Sequence, residues 1–395
     1  MAFSTEPKTP SKKVADPTRP STILRTREEL DAFDVTSEGW QRTLQRRYKT
    51  HEDMKGILNY VEDVDMALYD HFNMRVTPYL AQLMDRDNPN CPIRKQYMPF
   101  QRELNVRPYE VVDSLAEDDD MQDGSTVVHR YPNRALLLVT TNCGTYCRYC
   151  TRKRLVSHAE DAINRQKLEK GFCYLESHLE IDDCLLSGGD PLLLNDRQLE
   201  DILSQIRTRA PHVKFLRIGS RLPVQLPTRI TPELCAIIER YEVQMINVQV
   251  NHSKEITPLF AERIRMLRKT GTMIGNQSVL LKGVNDNVAT LRDLCMDLVS
   301  CGIRPYYCYS CDVAEGNHDY QLTLGRILKL YHALRGFISG PAVPTFVIDG
   351  TGGLGKMPII PEYVRELANG EIWATNFKGQ VQRMINLETK TVDQL

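Results

Sequence analysis

Three cysteines, Cys143, Cys147 and Cys150, fall within the stretch CGTYCRYCTRKR at 143–154. Clustered thiolates are ligands for soft metal centres. Structural zinc wants four closed ligands that usually arrive as two separated pairs. Here the first spacing holds three intervening residues, and no fourth cysteine follows nearby. A [4Fe-4S] cluster also takes four ligands, so three from the protein leave one iron open to bind something else. An open iron suggests chemistry at the cluster; unlinked core cysteines are the plain alternative.

A second stretch, FVIDGTGGLGKMP at 346–358, sets Gly350, Gly355 and Lys356 in most of a phosphate-loop pattern. Met357 stands where a hydroxyl must bind magnesium, and Pro358 with Pro361 forbids the helix whose N-terminus would hold the phosphates. What remains is a lysine at a flexible glycine turn, able to form an imine with a carbonyl cofactor such as pyridoxal phosphate.

Both motifs need a scaffold to position them. Short apolar strands at 135–140, 182–187, 213–219, 243–250, 273–281, 303–310 and 344–349 alternate with amphipathic patterns such as RQLEDILSQIRTRA and TLGRILKLYHALRG. This alternation predicts an α/β fold, a parallel sheet covered by helices, as an open doubly wound sheet or a full or partial barrel. The cysteines, SGGD, GSR, NHS, NQS, CD and DGTGGLGK all follow the carboxyl end of a strand. In a barrel those ends converge on one mouth, which favours the barrel. Ahead of it, residues 28–90 read as helical through MKGILNYVEDVDMALYDHF and VTPYLAQLM. The acidic run AEDDDMQDG at 116–124 reads as a solvated linker without function. The expected division is a disordered, Pro-rich arm at 1–27, an N-terminal helical region at 28–128, a partial barrel at 129–340, and a C-terminal segment with the lysine and a tail at 341–395.

Composition narrows the partners. The 395 residues carry a formal net charge of -1, with basic and acidic residues interleaved, so no field gathers nucleic acid or anionic membrane and a small molecule is the expected partner. The apolar runs are strand-sized and the start lacks an apolar signal region. Eleven cysteines without secretory context point to a reducing cytoplasm.

In combination these stretches resemble the lysine 2,3-aminomutase family of radical S-adenosylmethionine enzymes, from about residue 30 to about 380. DNPNCPIRKQ, HRYPNRALLLVT, the cysteine stretch, LLSGGDPLL, RIGSRLPVQLPTRITPEL, NQSVLLKGVND, RPYYCYSCD and PTFVIDGTGGLGKMP carry the resemblance. It implies a partial (β/α)6-type barrel with an N-terminal helical segment and a C-terminal extension. It also implies three cofactors: a [4Fe-4S] cluster on Cys143, Cys147 and Cys150, S-adenosylmethionine on the open iron, and pyridoxal phosphate on Lys356. Ser187, Gly188, Gly189 and Asp190 match the family's glycine-rich element for the methionine amino group, and Tyr149 and Gln277 are further cofactor contacts. Arg130, Tyr131 and Arg134 fall near the pyridoxal phosphate, where arginine forks suit a phosphate.

For the substrate, the resemblance places Arg152 on the α-carboxylate and Asp312 with Asp349 on the far end. Two carboxylates in one pocket repel unless a cation sits between them, so they ask for a positively charged end. The implied reaction is a radical 2,3-migration of the amino group of a basic amino acid, L-lysine to L-β-lysine foremost. L-arginine or another lysine-like substrate is the alternative, and a zinc-binding interaction protein the non-enzymatic one. An electron donor such as flavodoxin or ferredoxin and a homo-oligomer are implied partners. The sequence departs from the family in two places. No cysteine follows Cys311, where relatives carry a zinc-binding tail, and Tyr149 stands where close relatives have histidine. Cys308 and Cys311 form a pair the family lacks; facing opposite sides of a strand, they read as buried thiols.

Overall fold

The computed structural model describes residues 23–122, 124–156, 162–367 and 371–384. Most of the expected arm and the last eleven residues lie outside them. Within them, the last residues of the expected arm are structured: Ile23 and Leu24 pack against the core, and Thr26 caps the first helix.

Short helices come first: α1 (Arg27–Asp31), α2 (Trp40–Gln45), α3 (His51–Met54), α4 (Ala67–His71), α5 (Pro78–Leu83) and α6 (Pro92–Tyr97). Of the helix expected through MKGILNYVEDVDMALYDHF only α4 forms, near its end, while Met54 at its start closes α3. Between them the polar groups bond to distant parts of the chain instead. Asn59 accepts from Arg86 Nε at 2.9 Å, and the Asp65 N–H donates to Gln101 Oε1 at 2.8 Å. Such long-range partners replace the i→i−4 ladder that the spacing alone would favour.

The strands follow in order: β1 (Val127–Tyr131), β2 (Arg134–Thr140), β3 (Asp183–Gly188), β4 (Phe215–Gly219), β5 (Met245–Val248), β6 (Met273–Leu280), β7 (Arg304–Ser310), β8 (Thr345–Gly350) and β9 (Gly355–Pro358). They form one sheet in sequence order. β2 to β8 are mutually parallel, while β1 and β9 add antiparallel edges. All seven apolar runs read as strands are the parallel set. The edges approach one another, because the Lys356 N–H in β9 donates to the Tyr131 hydroxyl of β1 at 3.0 Å. The result is a nearly closed barrel. Its C-terminal segment begins with β8, which continues the sheet, and ends in a separate antiparallel sheet of β10 (Val364–Glu366), β11 (Ile372–Thr375) and β12 (Val381–Met384).

Crossover helices α7 (Arg165–Ser177), α8 (Asp196–Arg209), α10 (Pro232–Arg240), α11 (Pro258–Arg268), α12 (Val288–Ser300) and α13 (Leu324–Leu334) alternate with the strands; a one-turn helix, α9 (Leu222–Gln225), follows β4. Each crossover helix starts at an Asn or Thr whose side chain accepts a backbone N–H: Asn164, Asn195, Thr231, Thr257, Asn287 and Thr323. Leu186, Ile218, Ile246 and Phe346 of the strands are fully buried, each contributing about 1.5–3 kcal/mol of transfer free energy. Among the described residues no helix is long and apolar enough to cross a membrane.

The N-terminal helices brace the barrel mouth. Arg148, inside the cysteine stretch, forms a bidentate pair with Glu103, Nη2 to Oε2 at 2.6 Å and Nε to Oε1 at 3.2 Å, with both side chains 2% exposed. Arg47 donates to the carbonyls of Cys143 and Gly144 at 3.3 and 3.1 Å. The cysteine loop thus has both its charge and its backbone satisfied by the segment before the barrel.

Candidate active site

A cavity of about 570 Å³ opens at the carboxyl ends of the parallel strands. Cys143, Cys147 and Cys150 line it, and so do Lys356, Arg130, Tyr131, Arg134, Tyr149, Arg152, Ser187, Gly188, Gly189, Asp190, Gln277, Asp312 and Asp349. Every residue singled out for chemistry in the sequence therefore reaches the same space. The barrel does this by collecting loops that are far apart in the chain.

At the cysteine end, the loop after β2 lies directly on the glycine turn after β3. The Gly189 N–H donates to Thr140 O at 2.6 Å and the Asp190 N–H to Asn142 O at 2.8 Å. A Cβ on Gly189 would come within 2.2 Å of Asn142 O, so only glycine allows this approach. Donors point at the sulfurs: Arg221 Nη1 lies 3.0 Å from Cys147 Sγ and the Arg152 N–H 3.4 Å from Cys150 Sγ. Burial raises the Cys143 and Cys150 thiols above their ordinary range, so the thiolate form calls for a cationic partner. Three thiolates with N–H donors to sulfur fit an iron–sulfur cluster, whose sulfurs such donors tune.

The lysine end is built on the β8–β9 hairpin, whose register sets Asp349 opposite Lys356. Lys356 Nζ donates to Asp349 Oδ1 at 3.1 Å and stands 5.6 Å from the Tyr309 ring centre. Gly355, at φ +79°, passes under Tyr131 so closely that a Cβ would lie 2.9 Å from its hydroxyl. Arg134 stacks on the Tyr131 ring at 3.9 Å. Arg130 donates from Nε to Asp120 Oδ2 at 2.6 Å and from Nη2 to the Leu115 carbonyl. A cavity that holds this amine and two arginines fits a carbonyl cofactor bearing a phosphate. Burial, and then the Asp349 charge, pushes the Asp312 carboxyl up to about 7.

Arg152 connects the two ends. Its Nε and Nη2 donate to the two oxygens of Glu117 at 2.7 Å each, and Nη1 donates to Ser187 Oγ at 2.8 Å. Burial would raise the Glu117 carboxyl, but the Arg152 charge and hydrogen bonds outweigh it and hold it below the usual carboxylate range. This overturns the reading of 116–124 as a solvated linker. Glu117 is buried, Asp120 pairs with Arg130, and Asp118 and Asp113 both pair with Arg154.

Asp190 is held from four sides. It lies in the cavity wall, where Oδ1 accepts from the Leu192 N–H at 3.0 Å and Ser220 Oγ at 2.6 Å, and Oδ2 from the Arg221 and Leu222 N–H groups at 2.8 Å. Its carboxylate clips the SGGD and GSR loops together. The Tyr149 hydroxyl accepts from Arg221 Nη1 and from Asn251 Nδ2 at 2.6 Å, while its ring lines the cavity. Gln277 Nε2 donates to the Tyr309 hydroxyl at 3.2 Å.

Lys153 is buried and donates to Glu315 O and Asn317 Oδ1 at 2.8 Å, which makes it structural. Cys308 belongs to the main core and Cys311 to a smaller cluster with Tyr149, both buried thiols. Arg221 and Glu117 are the residues sequence reasoning passed over. The GSR motif after β4 pointed toward Arg221; nothing local marked Glu117.

Comparison with known proteins agrees with this geometry. The family model for lysine-2,3-aminomutase matches residues 331–392 and that for a 4Fe-4S single cluster domain matches 133–261. L-lysine 2,3-aminomutase of Fusobacterium nucleatum is 38% identical over 364 residues, covering 91% of this chain and 85% of that protein. L-lysine 2,3-aminomutase of Bacillus subtilis is 40% identical over 354 residues, covering 88% and 75%. Glutamate 2,3-aminomutase of Clostridioides difficile is 32% identical over 313 residues, covering 79% and 74%. The chain belongs to the lysine 2,3-aminomutase family, isomerases that work with a [4Fe-4S] cluster, S-adenosylmethionine and pyridoxal phosphate.

Proposed function

We propose that this aminomutase acts on L-lysine and yields L-β-lysine. The observation that carries the reading is the presence of Asp312 and Asp349 in the cavity that also holds Arg152 and Lys356. Two acidic side chains suit the distal ammonium of lysine and oppose the carboxylate of glutamate.

When bound, the cluster with S-adenosylmethionine supplies a carbon radical that takes a hydrogen atom, and pyridoxal phosphate carries the nitrogen that moves. The chain's own residues hold these partners in place. Cys143, Cys147 and Cys150 hold the cluster, and Ser187, Gly188 and Gly189 receive the amino end of S-adenosylmethionine, with Tyr149 and Gln277 along its length. Lys356 holds the pyridoxal, Arg130, Tyr131 and Arg134 surround its phosphate, and Arg152 receives the substrate carboxylate. The enclosing barrel limits water around the reacting atoms. A flavodoxin- or ferredoxin-like electron donor, a homo-oligomer and a cytoplasmic setting complete the proposal.

The test is an anaerobic assay of the reconstituted protein against L-lysine, L-arginine, L-ornithine and L-glutamate, with products identified by mass and chromatography. Formation of β-lysine in clear preference to the other products is expected. A preferred product from L-arginine would move the substrate to its guanidinium analogue, and a preferred product from L-glutamate would overturn the aspartate argument.

A further inference from the structure

A guanidinium carries five N–H donors. In Arg152 three are taken: Nε and one on Nη2 by the two oxygens of Glu117, and one on Nη1 by Ser187 Oγ. Of the other two, the one on Nη1 has only a long contact to the Gly188 carbonyl at 3.5 Å, which a stronger acceptor can displace, and the one on Nη2 lies beside it; a carboxylate accepting side by side needs two. Arg152 and Glu117 both line the cavity.

We propose that Glu117 is a positioning residue, gripping one edge of Arg152 so that the outer edge is presented to the α-carboxylate of the substrate. This rests on the substrate reading above and adds to it a residue outside the barrel strands. The grip is well defined. Glu117 is 5% exposed, so its carboxylate has little water to turn to, and both of its oxygens meet the fork at 2.7 Å.

The turn that delivers it is strained and tied down. Ala116, immediately before, has φ +49°, a conformation that alanine adopts only when its surroundings impose it. The surroundings are the same arginines: Arg130 Nη2 reaches the Leu115 and Ala116 carbonyls, and Arg154 Nη2 reaches Asp113 and Asp118. Because Glu117 offsets the Arg152 charge, capture of a carboxylate there depends on direction more than on net charge. A fork left to swing would lose it.

The experiment compares L-lysine with 1,5-diaminopentane, the same diamine without the carboxylate. Both are titrated against the cofactor-loaded protein while the pyridoxal absorbance is followed. Glu117→Ala is expected to weaken L-lysine binding about 30-fold or more, the lower end for loss of one partner in a buried charged contact, and to leave the diamine within about threefold. Glu117→Gln, which keeps an acceptor without the charge, falls between and guards against misfolding of the alanine variant. If Glu117 acts through Arg152, the double variant Glu117→Ala/Arg152→Ala loses no more than Arg152→Ala alone.

Equal weakening of both ligands would reduce Glu117 to a structural role and overturn the proposal. Tighter L-lysine binding in Glu117→Ala would overturn it too, because Glu117 would then be a competitor for the fork. If the wild type itself failed to prefer L-lysine over the diamine and made no β-lysine, the substrate reading would fall, and this inference with it.

Discussion

Asp312 offers a sharp quantitative consequence. Its carboxyl is raised from the ordinary 3.8 to about 7, first by burial and then by the neighbouring Asp349 charge. At 1.36 kcal/mol per pH unit, ionising it in the folded protein costs roughly 4 kcal/mol. A substrate ammonium between the two carboxylates favours the charged form and offsets that cost, so binding below neutrality must expel a proton. The factor is 1 + 10^(7−pH): about 11 at pH 6 and close to 1 at pH 8. KM for L-lysine should therefore rise about tenfold between pH 8 and pH 6 on account of this group. In Asp312→Asn that component vanishes, and KM is raised at every pH by the lost charge.

The assay is initial-rate kinetics of the loaded enzyme from pH 6 to pH 8.5, taken as the ratio of wild type to variant, which cancels titration of the substrate's own amines. The same linkage applies to stability. An acid whose folded pKa lies above its unfolded value loses stability as pH rises from about 4 to about 7, so Asp312→Asn should raise Tm at pH 8 and change it little at pH 4. A wild type and a variant with the same KM slope, or a variant less stable than wild type at pH 8, would refute the reasoning.

Other consequences follow from single contacts. Glu103→Ala strands the buried Arg148 guanidinium and should cost about 3–5 kcal/mol of stability, seen as a fall in Tm and in iron retained after reconstitution. Gly189→Ala forces a Cβ against Asn142 O, which would otherwise lie 2.2 Å away. Iron content should drop sharply in this variant while far-ultraviolet circular dichroism stays near wild type. Lys356→Ala should abolish the pyridoxal absorbance and turnover, yet keep iron at wild-type stoichiometry, because the cysteine loop is braced from the N-terminal side.

The barrel was legible in the sequence because each parallel strand is a short, nearly continuous apolar run followed by a polar or glycine motif. Leu186, Ile246 and Phe346 announce themselves by type alone. The first crossover helix, α7, was missed because its apolar positions are sparse; within RQKLEKGFCYLES only Gly171, Phe172 and Leu175 are buried. The N-terminal helices came out shorter than their spacing implied, since Asn59 and Asp65 found partners about thirty residues away. The acidic turn was misread for a related reason. Composition shows aspartates and glutamates in a row, but not that Arg130, Arg152 and Arg154 fold back onto them. Asp190 adds what its motif alone does not announce: four hydrogen bonds that tie the loop after β3 to the loop after β4.

The claim at the centre is that the cluster end and the lysine end of one cavity act on the same molecule. L-lysine deuterated at C3 is incubated anaerobically with the loaded enzyme, and the S-adenosylmethionine is then recovered for mass analysis. Deuterium in its 5′ position, alongside β-lysine, is the expected outcome. Formation of β-lysine with S-adenosylmethionine left free of deuterium would contradict it.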